Sequence, residues 1–212
     1  MNEGITKEEL LDQFKGNKIL KYATAAVGII VLIILVYVVY NRFIYEPNNE
    51  ESKALVARGI MLMEKDSINL AIEEFEYVAS EYGSYDGGKL AYYSLGNLYF
   101  EQGRFEDAIE ALEKVDLEDT YLMTLATGTL GDCYSELGDY AKAVTFYLQA
   151  AERVENDLTS PQFYFKAGLN AEEAGDFAKA KEYYEIIEDK YMTFSSQKSI
   201  EKYVVRAGAK IN

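Results

Sequence analysis

Apolar and polar residues follow one another along this chain in two regimes. From Tyr22 to Tyr40 the run YATAAVGIIVLIILVYVVY carries no charge. As a helix rising 1.5 Å per residue it extends roughly 28 Å, enough to span a hydrocarbon core. Tyr22 at one end and Tyr37, Tyr40 and Tyr45 at the other stand where amphipathic rings favour a membrane interface, and Lys18, Lys21 and Arg42 bracket the run. A cleaved signal sequence would have a shorter apolar region followed by small residues, whereas the exit here reads YVVYNRFIYEP. The pattern predicts an uncleaved transmembrane helix over 22–40, a segment 1–21 ahead of it and a linker over 41–51, read as a loop through YEPNNEES. Within 1–21, Ile5, Leu10, Leu11 and Phe14, with Thr6 before Lys7-Glu8-Glu9, predict a short capped amphipathic helix. Beyond the linker, apolar residues recur every three or four positions almost to the C-terminal end, the period of amphipathic helices. Two prolines and plentiful Ala, Leu, Glu, Lys and Tyr favour helix over strand throughout, so the fold class is all-α.

The helical pattern repeats itself. In YYSLGNLYFEQGRFEDAIEALEKV the anchors are Tyr92, Leu95, Gly96, Tyr99, Ala108 and Leu112. The pattern returns in TGTLGDCYSELGDYAKAVTFYLQA with Leu130, Gly131, Tyr134, Ala143, Tyr147 and Ala150, and in YFKAGLNAEEAGDFAKAKEYYEII with Tyr164, Gly168, Ala180, Tyr184 and Ile187. The last copy departs at Ala167 and Ala171. Upstream, LVARGIMLMEKDSINLAIEEFEYV supplies a weaker copy with Leu55, Gly59, Leu62, Ala71, Phe75 and Val78, and with Asp66 where the others have a turn glycine. These offsets resemble the tetratricopeptide repeat, a pair of antiparallel helices whose copies stack into a right-handed superhelix. Four repeats are expected, over about 52–85, 89–122, 124–157 and 161–194, with a C-terminal capping helix over 195–212.

Sterics explain the recurring residues. Gly and Ala at the eighth and twentieth positions stand where the two helices cross, and larger side chains there would push the backbones apart. Gly103, Gly138 and Gly175 follow the first helix of their repeats, where a left-handed residue closes the helix most easily without a Cβ. Phe105, Tyr140 and Phe177 then anchor the second helix in the core. In the tail, a Ser195 cap and the face Ile200, Tyr203, Val204 and Ala207 form the capping helix. The longer spacings place extended loops near Ser84 to Gly88 and Asn156 to Ser160, the latter ending with Pro161 at a helix start.

Charge narrows the function. The formal net charge is -15, and up to Tyr40 four Lys balance four acids, so the whole excess lies beyond the apolar run. An acidic domain repels phosphate backbones and anionic headgroups, so nucleic acid is disfavoured and basic or neutral protein partners fit better. There is no His, which removes the commonest general base and transition-metal ligand. With no nucleophile motif or phosphate-binding loop either, the sequence speaks against an enzyme, a cofactor or a small-molecule substrate. Cys133, alone, falls inside an apolar helical pattern and reads as core. The acidic runs at Val115 to Asp119 and at Glu172-Glu173 lack the ligand spacing of a calcium loop and read as solvated surface. Four Lys precede the apolar run against about two basic residues soon after it, which orients the N-terminus to the cytoplasm and, in a bacterium, the repeats to the periplasm.

The layout, together with the stretch FKGNKILKYATAAVG leading into the apolar run, resembles the YfgM-like ancillary subunits of the bacterial Sec translocon. That resemblance implies a single-pass inner-membrane protein beside the Sec channel, with partners among channel subunits, exported polypeptides and periplasmic chaperones such as a membrane-anchored prolyl isomerase. A scaffold for another envelope complex, in division, outer-membrane assembly or secretion, is the alternative.

In tetratricopeptide arrays the concave groove is lined by the first helix of each unit. The corresponding positions here include Val56, Ile60, Tyr93, Asn97, Phe100, Asp132, Ser135, Phe165 and Leu169, of which Tyr93, Asn97, Phe100, Asp132, Phe165 and Leu169 are the candidate protein-binding residues. With Glu101, Glu136 and Glu172 nearby they suit an extended peptide bearing apolar side chains and some positive charge. The alternative reading of the aromatics is core packing. One subfamily of these repeats grips C-terminal carboxylates with Lys at the fifth position and Asn at the ninth. Val56, Tyr93, Gly128 and Phe165 occupy the fifth position here, so only Asn97 matches.

Overall fold

A computed structural model describes Lys7 and residues 17–211 of the chain, and every regular element among them is helical. The amphipathic stretch expected from Ile5 to Phe14 lies outside the described residues apart from exposed Lys7. The chain divides into two units, Met1–Asn48 and Asn49–Asn212.

In the first unit, α1 (Lys18–Tyr40) starts at Asn17, whose side-chain oxygen accepts the backbone N–H groups of Ile19 and Leu20 at 3.0 and 3.2 Å. Two of the donors that a helix start leaves open are thereby satisfied. None of the α1 side chains is buried, and the helix is long and apolar enough to cross a membrane by length and composition. Thr24 turns its hydroxyl back onto the carbonyls of Leu20 and Lys21, both at 3.0 Å, so that polar group is satisfied inside the helix. The segment 41–51, expected as a loop, is helical instead: a π-helical turn (Asn41–Tyr45) leads into α2 (Glu46–Glu64). Pro47 accounts for the widened turn. In a regular α-helix its ring would press on the carbonyl four residues back, and it has no N–H to offer. The turn ahead of it is closed by the Glu46 N–H reaching the Asn41 carbonyl, five residues back.

The second unit is a row of helix pairs. α2 pairs with α3 (Ile68–Tyr82), α4 (Asp86–Glu101) with α5 (Phe105–Leu112), α6 (Thr120–Glu136) with α7 (Tyr140–Arg153), and α8 (Ser160–Glu173) with α9 (Phe177–Lys190). α10 (Met192–Lys198) and α11 (Glu201–Gly208) follow, and α11 packs on α9. Each pair crosses at the expected glycine. A Cβ added to Gly131 would lie 2.7 Å from the Tyr147 ring, and at Gly59, Gly96 and Gly168 it would collide with Phe75, Leu112 and Tyr184. Ala71, Ala108, Ala143 and Ala180, at the matching position of the second helix, are fully buried. The turns are as expected: Gly103, Gly138 and Gly175 have φ of 73°, 76° and 79°, and Asp66 takes the same left-handed conformation at 58°. Asp139 and Asp176 then cap the next helix by accepting the N–H groups of Lys142 and Lys179 at 3.2 and 3.1 Å. Phe105, Tyr140 and Phe177 sit half-buried over these turns rather than deep in the core.

Two further expectations are overturned by the structure. At Ser84 to Gly88 there is no extended loop, because α4 already begins at Asp86. Asn49 accepts the Asp86 N–H and donates to its carboxylate, both at 2.9 Å, and the Ser52 hydroxyl accepts the Gly87 N–H at 3.2 Å. Any Cβ on Gly87 would strike the Ser52 backbone, and on Gly88 the Tyr82 backbone, so these glycines serve close approach, not a flexible turn. The tail is not one helix over 195–212. α10 already starts at Met192, with Ser195 inside it, and Ser199 in the left-handed conformation (φ 54°) separates it from α11. The expected apolar face survives the break, with Ile200 and Ala207 fully buried and Tyr203 and Val204 packed against them. The loop before Pro161 does form. There the Asn156 side chain accepts the N–H groups of Leu158 and Thr159 at 2.8 Å, and α8 starts at Ser160.

Candidate protein-binding groove

The six candidate residues lie on the first helices of the second, third and fourth pairs, and all are half-buried. Two of them are occupied in packing. The Asn97 amide donates to the Tyr93 carbonyl at 2.9 Å, and its oxygen accepts from the Thr129 hydroxyl on α6 at 3.3 Å. Asp132, at the same register one repeat on, accepts from the Tyr147 hydroxyl at 2.6 Å and from the Lys166 ammonium on α8 at 2.7 and 2.8 Å. This position therefore bolts the second repeat to the third and the third to the fourth. Burial and the neighbouring Asp132 carboxylate hold the Tyr147 hydroxyl proton far above the usual phenol range, so the phenol donates this bond at any physiological pH. Glu172, another expected groove acid, is similarly engaged by the Tyr184 hydroxyl at 3.0 Å and by Arg206 at 2.7 Å.

Phe165 and Leu169 are brought together. They floor a groove of about 710 Å³ between α8 and α10, walled by Leu158, Gln162 and Phe194 and rimmed by Lys166 and Lys198. The Phe165 ring is fixed by Tyr203 edge-on at 4.9 Å, Tyr184 at 6.0 Å and Phe194 at 6.3 Å, and the Lys198 ammonium sits 5.8 Å from its centroid. Its floor is thus set before any partner arrives, which lowers the ordering cost of binding. Leu158 is 62% exposed at the edge. Tyr93, Asn97 and Phe100 lie on α4 and are not part of this groove; Phe100 packs on Phe105 with ring centroids 5.6 Å apart. Phe194 and Lys198 come from α10, after the second helix of the fourth pair has ended, so the groove register of the first helices does not reveal them. Cys133 is fully buried, and burial pushes its thiol up to about 12, so it is an inert core residue.

Three segments match models of the tetratricopeptide repeat, over residues 90–115, 128–156 and 162–191, which are the second, third and fourth helix pairs. The domain is accordingly built of tetratricopeptide repeats, a class of protein-interaction module. The chain is 30% identical over 126 residues to the Arabidopsis thaliana protein FLUORESCENT IN BLUE LIGHT, chloroplastic, over 55% of this chain and 40% of that protein. It thus spans less than half the length of that curated relative. Among solved structures it is similar to MamA protein, with TM-score 0.52 and 26% identity, over 68% of this chain and 78% of that one. The Pseudomonas aeruginosa pilF structure shares the fold at TM-score 0.55 and 14% identity, over 90% of this chain and 86% of that one.

Proposed function

We propose that this protein is a membrane-tethered binding module: α1 spans the inner membrane with the N-terminus in the cytoplasm, and the periplasmic repeats take hold of extended protein segments in the α8–α10 groove. Its station is beside the Sec channel, as an adaptor between exported chains and periplasmic chaperones. The observation that carries the reading is the groove itself, an open apolar trough with a rigid aromatic floor in a domain class whose work is protein binding. The exposed apolar surface of α1 supports the tether, since a surface of that size is tolerated where lipid covers it. The lysines ahead of it support the orientation.

The test is crosslinking of the full-length protein in its own membrane, followed by mass spectrometry and by protease protection of spheroplasts. Channel subunits recovered together with a periplasmic chaperone, and repeats cut from the outside, are the expected result. A single unrelated envelope complex would replace the adaptor with a scaffold. Repeats protected from external protease would overturn the orientation.

A further inference from the structure

The charge of the repeat unit is unevenly distributed. Residues 41–189 carry 31 acids against 12 bases, whereas residues 190–212 carry Lys190, Lys198, Lys202, Arg206 and Lys210 against the single acid Glu201. Pairing follows the same division. Ten of the twelve bases between 41 and 189 hold a carboxylate within ion-pair distance. In the tail, Lys190 is taken by Glu155 and Arg206 by Glu172, but among the described residues no acid reaches Lys198, Lys202 or Lys210. Unpaired cations in a domain with such an excess of carboxylates are a local reversal of its field.

Their position gives the reversal a use. Lys198 closes α10 over the Phe165 ring at the groove rim, whereas Lys202, beyond the break at Ser199, lies apart from the groove on α11 beside Glu201 and the exposed Val205. On the opposite rim Lys166 is held by Asp132, and Asp157 is the one carboxylate lining the groove. A segment seated on Phe165, Leu169 and Phe194 would therefore run out past the unneutralised ammonium group of Lys198.

We propose that the α8–α10 groove selects extended protein segments in which an acidic residue flanks an apolar or aromatic side chain, the apolar group seated on Phe165 and Leu169 and the carboxylate on Lys198. This rests on the groove being the binding site and adds the charge of its occupant, opposite to what the net charge of the whole domain favours. Electrostatic complementarity of this kind governs partner choice and association rate more than it adds contact area.

The experiment uses the full-length chain in lipid nanodiscs and three fluorescein-labelled ten-residue peptides, alternating Phe or Leu with Glu, with Gln or with Lys, read by fluorescence anisotropy. The Glu peptide should bind roughly threefold more tightly than the Gln peptide, and the Lys peptide most weakly. The variant K198E should reverse that order, while L169E should abolish binding of all three peptides; circular dichroism of each variant checks that the helices are intact. Raising the salt from 50 to 300 mM should erode the preference. Equal binding of the three peptides, lost in L169E but unchanged in K198E, would keep the groove and overturn the charge selection. Binding that survives L169E, or no binding of any peptide, would overturn both.

Discussion

The first and third repeats are cut to the same register and filled differently. In both, a glycine lets an aromatic ring from the second helix lie against the first, Gly59 under Phe75 and Gly131 under Tyr147. In both, a left-handed residue closes the first helix, Asp66 and Gly138. One residue ahead of each crossing glycine the two part company. The third repeat has buried Leu130 there, and its second helix offers Phe146, stacked 5.2 Å from Tyr134. The first repeat has Arg58 at that place and Glu74 at the position of Phe146, joined as an ion pair in which Arg58 is 63% exposed and Glu74 only 9%. Leu130 has a repeat in front of it to pack against, whereas Arg58 sits on the first helix of the row. Geometry within a pair is thus fixed by sterics, and the faces between pairs vary with whether a neighbour is present.

The largest effect should come from the shared geometry. Gly131→Val puts branched carbon where a single Cβ already lies 2.7 Å from a buried ring, and overpacking of this kind costs about 3 kcal/mol. Urea unfolding of the full-length protein in detergent, followed by far-UV circular dichroism, should show the midpoint falling accordingly. An unchanged midpoint would mean that the crossing is looser than it looks.

Next comes the difference between the repeats. Arg58→Ala leaves the Glu74 carboxylate nearly buried without its cation, and its second oxygen already lacks a hydrogen-bond partner. Hydrogen exchange should therefore quicken roughly tenfold in α2 and α3 and stay as it was in α7 to α9. The double variant R58L/E74F makes the edge resemble the interior of the third repeat. It should restore protection, but expose a contiguous apolar face and bring on self-association, visible as a concentration-dependent mass by light scattering. A monomeric double variant would show that the ion pair is not what blunts this edge.

The same contrast separates the features legible in the sequence from those that are not. Crossing glycines, buried alanines and the left-handed turns are dictated by contact distance and φ, so residue type reveals them, and at Asp66 the register does. Gly87 and Gly88 look like a loop in sequence because their reason, the Ser52 and Tyr82 backbones, lies elsewhere in the chain. The break at Ser199 carries no glycine to announce it. At the groove, Phe165 and Leu169 follow from register, whereas Phe194 and Lys198 arrive through the chain's turn back after Tyr191. Asn97 and Asp132 are polar at a groove position and still belong to the joints, since one helix face both lines the groove and meets the next repeat.

A smaller effect separates the polar joints from the apolar core. Tyr147→Phe keeps the ring against Gly131 and removes only the hydroxyl bonded to Asp132 at 2.6 Å. Loss of that bond should cost about 1 kcal/mol in the same unfolding experiment, because Asp132 keeps its Lys166 partner. A loss as large as that of Gly131→Val would show the joint to be as costly to break as the crossing.

The smallest effect belongs to the joint between the first and second repeats and appears only in acid. The Asn49 amide, bonded at 2.9 Å, and then Lys53 hold the Asp86 carboxyl below its ordinary value of 3.8, against the opposing pull of its partial burial. A carboxyl whose folded value is lowered stabilises the fold above its unfolded pKa and loses that contribution as the pH falls through the folded one. Protection of the α2 and α3 amides, corrected for the intrinsic exchange rate, should therefore be level from pH 7 to about pH 5 and decline below about pH 4. Asp86 is about half exposed, so solvent screening keeps the decline shallow. D86N removes the titrating group and should show weaker protection at pH 6 with a flatter acid limb. Identical limbs in the two proteins would move the acid sensitivity of this edge to other carboxylates and leave Asn49 with a purely positional part in starting α4.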